Sequence, residues 1–429
     1  MKRFNKTAVN FLCFTLTLCC FTQAAWGLTA TAQKIYGQLH SSVYQIRVID
    51  VNSGEKYVIG SGFRFAPQGN IATNYHVISD AAAKPERYRI EYYQGSKKKG
   101  NLTLAALDAV HDLAILQGAD NGDAKLVLQT SAMAKGDPVF PMGNPLDLGM
   151  TINEGIYNGL VGDSPYQRIL LSASLNGGMS GGPAFNSAGE VIGVNVSIQG
   201  NDLSYLVPAT YLAQLAEKAN SDKRPQDWRQ TIEDQVLKKY DHTIRNILAG
   251  QWSFEKFGSL KVPKTISADT LKCWGQSREE DTSKSHFYSY GYRSCESGDS
   301  IYLSSSLRTG EIGFSFYWLK SVSLNPLEFY KKYSKQFGNA NELPSAIEKD
   351  AEEPRCKTSF VTMADHNWKA AYCVRPYKDY PGLNDIFLAL AVLGEPKRGH
   401  IINVYLTGLG EPLAGLFLKK LLGGIKWVD

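Results

Sequence analysis

Three residues whose side chains together can turn a hydroxyl into a nucleophile occur in this sequence in the order His, Asp, Ser. His76 lies in Ala72-Thr73-Asn74-Tyr75-His76-Val77, and Asp112 lies in His111-Asp112-Leu113-Ala114-Ile115-Leu116. Ser180 lies in Asn176-Gly177-Gly178-Met179-Ser180-Gly181-Gly182-Pro183, so the three stand 36 and 68 residues apart. A serine hydroxyl is a poor nucleophile at neutral pH and needs a base to take its proton. A neutral imidazole can be that base when a carboxylate holds its tautomer and orientation. Attack on a carbonyl creates an oxyanion, which preorganised N–H donors stabilise. Glycines around Ser180 let the backbone turn sharply and aim the N–H groups of Gly178 and Ser180 into one cavity. A histidine before a valine, or an aspartate opening a strand, is ordinary by itself. All three in this order point to acyl transfer.

The elements that must hold these residues read as short strands. Val43 to Val48 alternates apolar and polar residues, the period of a half-buried strand. Val58–Phe63, Ile71–Asn74, Leu113–Leu116 and Val191–Val194 are further strand candidates. Frequent strands with glycine-bearing turns between about Ser41 and Ala209 predict a mainly β sandwich or barrel pair. The run Lys97-Lys98-Lys99 reads as a solvated hairpin tip. Near Pro208 the character changes. Tyr211–Lys218 predicts a short closing helix, and 220–225 a polar linker. An amphipathic helix follows, with Trp228, Ile232, Val236, Tyr240 and Ile244 every four residues and Gly250 at its end. From Trp252 the pattern is mixed α+β. Asn325-Pro326 opens a helix running to Gly338, Ile386–Val392 and Ile401–Leu406 read as strands, and Pro412–Leu422 as a terminal helix.

Residues from about Ala32 to Glu217 resemble the protease domain of the HtrA/DegP-type trypsin-like peptidases. The resemblance rests on the three segments above and on Gly60-Ser61-Gly62-Phe63. It rests also on Gly143-Asn144-Pro145 running on to Gly155-Ile156, on Gly189–Asn195 and on Ser204–Pro208. It implies a chymotrypsin-like pair of six-stranded β-barrels with the triad in the cleft between them. By the same resemblance His76 is the general base, Asp112 its orienting partner, Ser180 the nucleophile, and the N–H groups of Gly178 and Ser180 the oxyanion hole. Met179 stands where pancreatic-type members carry the aspartate that pairs with a freshly cut N-terminus, so activation by that route is not implied. No PDZ pattern follows Trp252, and peptide-sensing regulation is not carried over.

Ser174 lies six residues before Ser180, where this fold often floors the primary specificity pocket; Ser174, Leu175 and Asn195 are the candidate pocket residues. An uncharged floor narrowed by leucine favours small or medium aliphatic side chains before the scissile bond. The histidines His40, His111, His242, His286, His366 and His400 lack metal-ligand spacing and read as structural, and no metal or other cofactor is expected. His111, adjacent to Asp112 on a strand, is expected to point away from the triad.

The N-terminus carries Lys2, Arg3 and Lys6, then an apolar stretch from about Ala8 to Phe21 and the small-residue site Ala25-Trp26-Gly27. That is the pattern of a secretory signal cleaved before Leu28, and no later segment is apolar enough to span a bilayer. An exported, periplasmic or secreted protein without an integral membrane segment is expected. Three of the seven cysteines leave with the signal; Cys273, Cys295, Cys356 and Cys373 remain. An even number in an exported chain predicts two disulfides. Cys356 with Cys373 is favoured because a hairpin between them brings the two opposite, and local pairing is favoured for Cys273 with Cys295. From Leu28 to Leu215 there are 13 basic and 15 acidic residues. Neither that half nor the remainder has the dense basic face of a nucleic-acid binder.

The expected organisation is signal peptide 1–27, trypsin-like domain 28–219, linker and amphipathic helix 220–251, and a disulfide-bearing α+β domain 252–429, the two halves folding separately. The expected activity is hydrolysis of polypeptide substrates through an acyl-enzyme. The alternative is a catalytically silent binding or scaffold protein of the same fold; a complete His-Asp-Ser set favours the enzyme. Residues 252–429 read equally as a substrate-selecting, partner-binding or targeting module.

Overall fold

A computed structural model of the chain describes residues 28–65, 69–118, 126–161, 167–200, 203–219, 224–225, 227–266, 271–278, 287–298, 300–339 and 350–428. The leader reading over 1–27, His286 and part of the linker fall outside the described residues. Helix α1 (Leu28–Leu39) leads into β1 (Val43–Asp50), β2 (Lys56–Arg64), β3 (Ile71–Thr73), helix α2 (Tyr75–Ala83), β4 (Tyr88–Gln94), β5 (Lys97–Asp108) and β6 (Leu113–Gly118). These six strands close a barrel in the order β1-β2-β3-β6-β5-β4. The alternation in β1 predicts a half-buried strand, yet six of its eight residues are buried. Even Gln45 is covered, and its amide donates to Asp147 Oδ1 at 2.6 Å. Both faces of β1 are covered.

The second barrel comprises β7 (Pro138–Gly143), β8 (Thr151–Ile152), β9 (Gly155–Leu160), β10 (Ile169–Ser172), β11 (Pro183–Phe185), β12 (Val191–Gly200) and β13 (Leu203–Pro208). Pairing of β11 with β7 closes six of these strands, and β8 hangs on β7. Two six-stranded barrels in succession are the architecture of the chymotrypsin fold. The predicted closing helix is α3 (Ala209–Ala219), which buries Leu212 and Leu215 against the barrels.

Helix α4 (Trp228–Ala249) starts at Asp227, whose carboxylate accepts the Arg229 N–H at 2.8 Å, and ends at Gly250. Its apolar stripe is buried at Ile232, Val236, Tyr240, Ile244 and Ile247. Beyond it lie β14 (Trp252–Phe257), β15 (Leu260–Ile266), β16 (Leu271–Arg278), β17 (Tyr288–Ser297), β18 (Ile301–Tyr302), β19 (Arg308–Thr309) and β20 (Ile312–Ser321). Helix α5 (Pro326–Asn339), β21 (Arg355–Met363), β22 (His366–Pro376), β23 (Asn384–Val392), β24 (Arg398–Leu409), helix α6 (Glu411–Gly423) and β25 (Lys426–Trp427) follow. At the start of α5 the Asn325 and Glu328 side chains accept each other's backbone N–H at 3.0 Å, a reciprocal capping box. Seven of the strands form one sheet in the order β16-β17-β20-β24-β23-β22-β21, and both edges are stapled. Cys273–Cys295 joins β16 to β17 and Cys356–Cys373 joins β21 to β22, the pairing read from the sequence. Closing loops of these lengths stabilises by about 3 kcal/mol each in the chain-entropy model.

The two halves pack against each other through a shared core. One continuous cluster of buried residues contains Ile46, Tyr75 and Ile78 of the first barrel, the stripe of α4, and Phe314, Phe316 and Ile402 of the large sheet. Gln235 of α4 accepts the Ala109 N–H at 2.8 Å and donates to the Leu107 carbonyl at 3.1 Å. Helix α4 thus packs against both the first barrel and the large sheet.

His400 lies in this second half with 2% of its surface exposed, and its Nε2 accepts the Ser259 N–H at 3.2 Å. Burial first, then Arg398 and His366, pushes its imidazole from 6.5 down to about 3. The unfolded chain therefore binds this proton more tightly than the folded one. The stabilisation is complete above about pH 6.5 and is lost as pH falls from there toward 3. At about 1.4 kcal/mol per pH unit, the loss at pH 5 is roughly 2 kcal/mol. Urea unfolding at pH 7.5 and pH 5 is expected to show this difference in the native sequence and a smaller one in His400→Gln. Equal pH dependence in both proteins would contradict it.

Candidate active site

Sequence places His76 at the first turn of α2, because Asn74 leaves β3 in extended conformation and the helix begins at Tyr75. Asp112 occupies the tight turn between β5 and β6 in the left-handed region, φ 58°, where a residue other than glycine is strained. The Asn74 amide holds this turn by donating to the Asp112 carbonyl at 2.8 Å. The turn delivers the carboxylate to His76 twice. The His76 backbone N–H donates to Oδ1 at 2.8 Å, and Nδ1 lies 2.7 Å from Oδ2. Asp112 is 5% exposed, so little water competes for its oxygens. A carboxylate on Nδ1 places the proton there and leaves Nε2 with its lone pair, the tautomer a general base needs.

Ser180 sits on the turn between β10 and β11, in the opposite barrel. The two barrels are clamped at this point by Ser61 of β2. Its N–H donates to the Ser180 carbonyl at 2.7 Å, its hydroxyl donates to the Gly178 carbonyl at 2.7 Å, and its Oγ accepts the Asn144 N–H at 2.9 Å. Gly60 marks how close the candidates come: an added Cβ there would lie 2.6 Å from Val77, the neighbour of His76, and 3.2 Å from the Ser180 carbonyl. The glycines of the turn are required by space and conformation. Gly178 has φ +96° and a Cβ on it would meet the Asn144 carbonyl at 2.4 Å; Gly181 has φ +85° and would meet the Ser61 carbonyl at 2.2 Å.

The Gly177 carbonyl accepts the Leu146 N–H at 2.8 Å, which turns the other side of the trans 177–178 peptide, its N–H, away from that loop. Among the described residues no hydrogen bond uses the N–H of Gly178 or of Ser180. Two neighbouring donors without an internal partner are what an oxyanion hole requires. The Ser180 hydroxyl donates to the Val196 carbonyl at 2.9 Å. A hydroxyl proton rotates to suit its partner, so the bond to Val196 does not fix it there.

Other expected site residues fall elsewhere. Met179 is fully buried in the core of the second barrel, an apolar filling with no ion pair to make. Ser174 is exposed on the segment before the nucleophile turn. Leu175 is buried in the barrel core, and Asn195 is fully buried with its amide donating to the Met142 carbonyl at 3.0 Å and, at 3.4 Å, to that of Met179. Through Met179 the Asn195 amide braces the nucleophile turn from behind. His111 points away from Asp112, with Nδ1 2.7 Å from Asp108 Oδ2 and its ring stacked on Tyr211 at 3.9 Å. Burial raises the Asp108 carboxyl, and the hydrogen bonds and charge of His111 outweigh this and hold it below its ordinary value. Sequence reasoning missed Ser61, although it stands inside the quoted Gly-Ser-Gly-Phe segment. Ser61→Ala leaves the Gly178 carbonyl and Asn144 N–H buried without this partner. Loss of about 1–3 kcal/mol in denaturant unfolding is expected, with a turnover loss of about 10-fold as the oxyanion donors loosen. Unchanged stability and turnover would contradict the clamp.

Residues 60–194 match the family model of the trypsin-like peptidase domain. This stretch is similar to trypsin-like peptidase domains, and the relatives it resembles include DegP-like serine endoproteases. A DegP-like periplasmic serine endoprotease of Rhizobium meliloti is 32% identical over 174 residues, covering 38% of this chain and 33% of the relative. The serine protease HhoB of Synechocystis is 31% identical over 169 residues, covering 37% of this chain and 39% of the relative. The chain thus spans about a third of the length of the curated relatives it matches. The crystal structure of a serine endoprotease from Yersinia pestis aligns with a TM-score of 0.39 at 25% identity, covering 45% of this chain and 68% of that one.

Proposed function

We propose that this protein is an exported serine endopeptidase that cleaves polypeptides through an acyl-enzyme on Ser180. The observation that carries the reading is the double hydrogen bond between His76 and Asp112 on one barrel, facing a clamped glycine-rich serine turn on the other. On binding of an extended polypeptide, the Ser180 hydroxyl turns from Val196 to His76 Nε2 and attacks the scissile carbonyl. His76 takes the proton, and Asp112 stabilises the resulting imidazolium. The N–H groups of Gly178 and Ser180 receive the oxyanion. Collapse expels the amine, which takes the proton from His76 as it leaves. A water molecule then repeats the sequence on the ester and frees Ser180. The uncharged Ser174 supports small or medium aliphatic residues before the scissile bond. Export to the periplasm is supported by the leader pattern and the periplasmic relatives, and among the described residues no helix is long and apolar enough to cross a membrane.

The test is incubation of the mature chain with an unfolded protein and mapping of the new termini. New internal termini, enriched in aliphatic residues on the acyl side and formed equally in EDTA, are expected. No new termini, or activity lost in EDTA and restored by a metal, would overturn the reading.

A further inference from the structure

The C-terminal half does more than share a core with the peptidase domain. It places an aromatic ring on the candidate base. Tyr302 of β18 lies over His76 with ring centroids 4.9 Å apart and planes 32° from parallel. We infer that Tyr302 is a positioning residue for His76, supplied to the peptidase domain by the C-terminal half; this rests on the reading of His76 as the general base.

The hairpin that carries Tyr302 is bolted to the helix that carries His76. Tyr302 is paired across the hairpin with Arg308 of β19, whose guanidinium lies 4.5 Å from the centre of the Tyr302 ring. The next carbonyl, Leu303, accepts the hydroxyl of Tyr75, the residue before His76, at 3.3 Å and that of Tyr380 at 3.2 Å. The Ser305 N–H donates to Asp80 Oδ2, also on α2, at 3.0 Å. Ser306 donates to Asp350 at 2.6 Å, and Thr309 lies 2.9 Å from the Tyr377 hydroxyl, tying the hairpin back into its own half. Lys84, just past α2, pairs with Asp379 at 2.8 Å. Eight of the nine residues of α2 are buried, all but His76. A helix buried this fully, with only its reactive residue partly open, has little freedom to shift.

A ring against the imidazole acts in two ways. It resists rotation of His76 away from Asp112, keeping Nδ1 on the carboxylate while Nε2 exchanges its proton. It also presents a π face to the imidazolium that forms during attack, and such faces attract cations. Burial, followed by Arg308, Asp112 and Arg168 with opposing signs, leaves the Tyr302 phenol above its ordinary value, so the ring is neutral at neutral pH.

The experiment uses the full mature chain and three variants: Tyr302→Leu, Tyr302→Phe and Tyr302→Met, the last an unbranched apolar replacement should the leucine variant not fold. For each, kcat and KM on a peptide substrate and the rate of labelling by a fluorophosphonate are measured alongside a thermal melt. Folded Leu or Met variants are expected to lose about 10- to 100-fold in kcat, with labelling slowed in parallel and KM nearly unchanged. Tyr302→Phe, which keeps the ring, is expected to restore kcat to within about 2-fold, because ring contact and not the hydroxyl carries the effect. Native kcat in a folded Leu or Met variant overturns the inference, and so does a raised kcat, which would make the ring an obstruction. An effect confined to KM overturns it too. Labelling of the native chain at Ser180 separates the two readings. If it is absent, the assignment of the site fails; if it is present and unaffected by the variants, only the role of Tyr302 fails.

Discussion

Ser180→Ala is expected to lower turnover of a polypeptide substrate by about 10⁴- to 10⁶-fold while leaving the melting temperature close to that of the native chain. The size follows from losing the covalent step altogether; the residual rate comes from binding and the oxyanion donors. The fold is spared because Ser180 Oγ makes one hydrogen bond among the described residues, to Val196, and the turn is held by Ser61 and Asn195. His76→Ala is expected to reach a similar loss, and the double variant to be hardly worse than either single one, because base and nucleophile act as a unit. Initial rates at saturating substrate, with circular dichroism as the folding control, check this. Turnover within about 10-fold of native in folded Ser180→Ala would remove the serine from the chemistry.

A chain ending at Asp222 is expected to lose both solubility and activity, by about 10²-fold or more in turnover for whatever fraction remains folded. Cutting there removes α4, whose buried stripe shares a cluster with Tyr75 and Ile78, and removes the Leu303 and Ser305 anchors of α2. The exposed outer face of the first barrel would be a contiguous apolar patch of the kind soluble monomers rarely carry. The α2 start that aims His76 at Asp112 would lose its outer support, and misplacement of a base by about 1 Å is enough for such a loss. Size-exclusion chromatography and peptide hydrolysis by the fragment check both parts. A monomeric fragment with full activity would restore the picture of two independent halves.

The candidate triad was legible in the sequence because such chemistry needs local backbone features that leave a mark. The glycines at 178 and 181 must be glycines, since both have positive φ and no room for a Cβ. The local disulfide pairing was legible because both bonds cross neighbouring strands of a hairpin. The β21–β22 turn itself falls at Ala364-Asp365, where neither residue is the glycine or asparagine that usually takes a positive φ. The large sheet as a whole was not legible. Its edge strand β21 is exposed over eight of nine residues and carries no buried-face alternation to read. A motif does not say which way a strand residue faces; the Asn195 amide reaches the Met142 and Met179 carbonyls, and the neighbouring Val196 carbonyl meets Ser180. Tyr302 was invisible for a different reason. Nothing local distinguishes it, and its place against His76 is created only when α2 and the β18–β19 hairpin pack together.

The measurement that bears most directly on the catalytic assignment is mass-spectrometric mapping of a fluorophosphonate adduct on the mature, folded chain. Such a reagent reports a serine hydroxyl made nucleophilic by a base. One adduct per chain, carried by the peptide containing Ser180 and abolished in His76→Ala, is expected. No adduct on the folded native protein, an adduct on another residue, or undiminished labelling of Ser180 in folded His76→Ala would contradict the account.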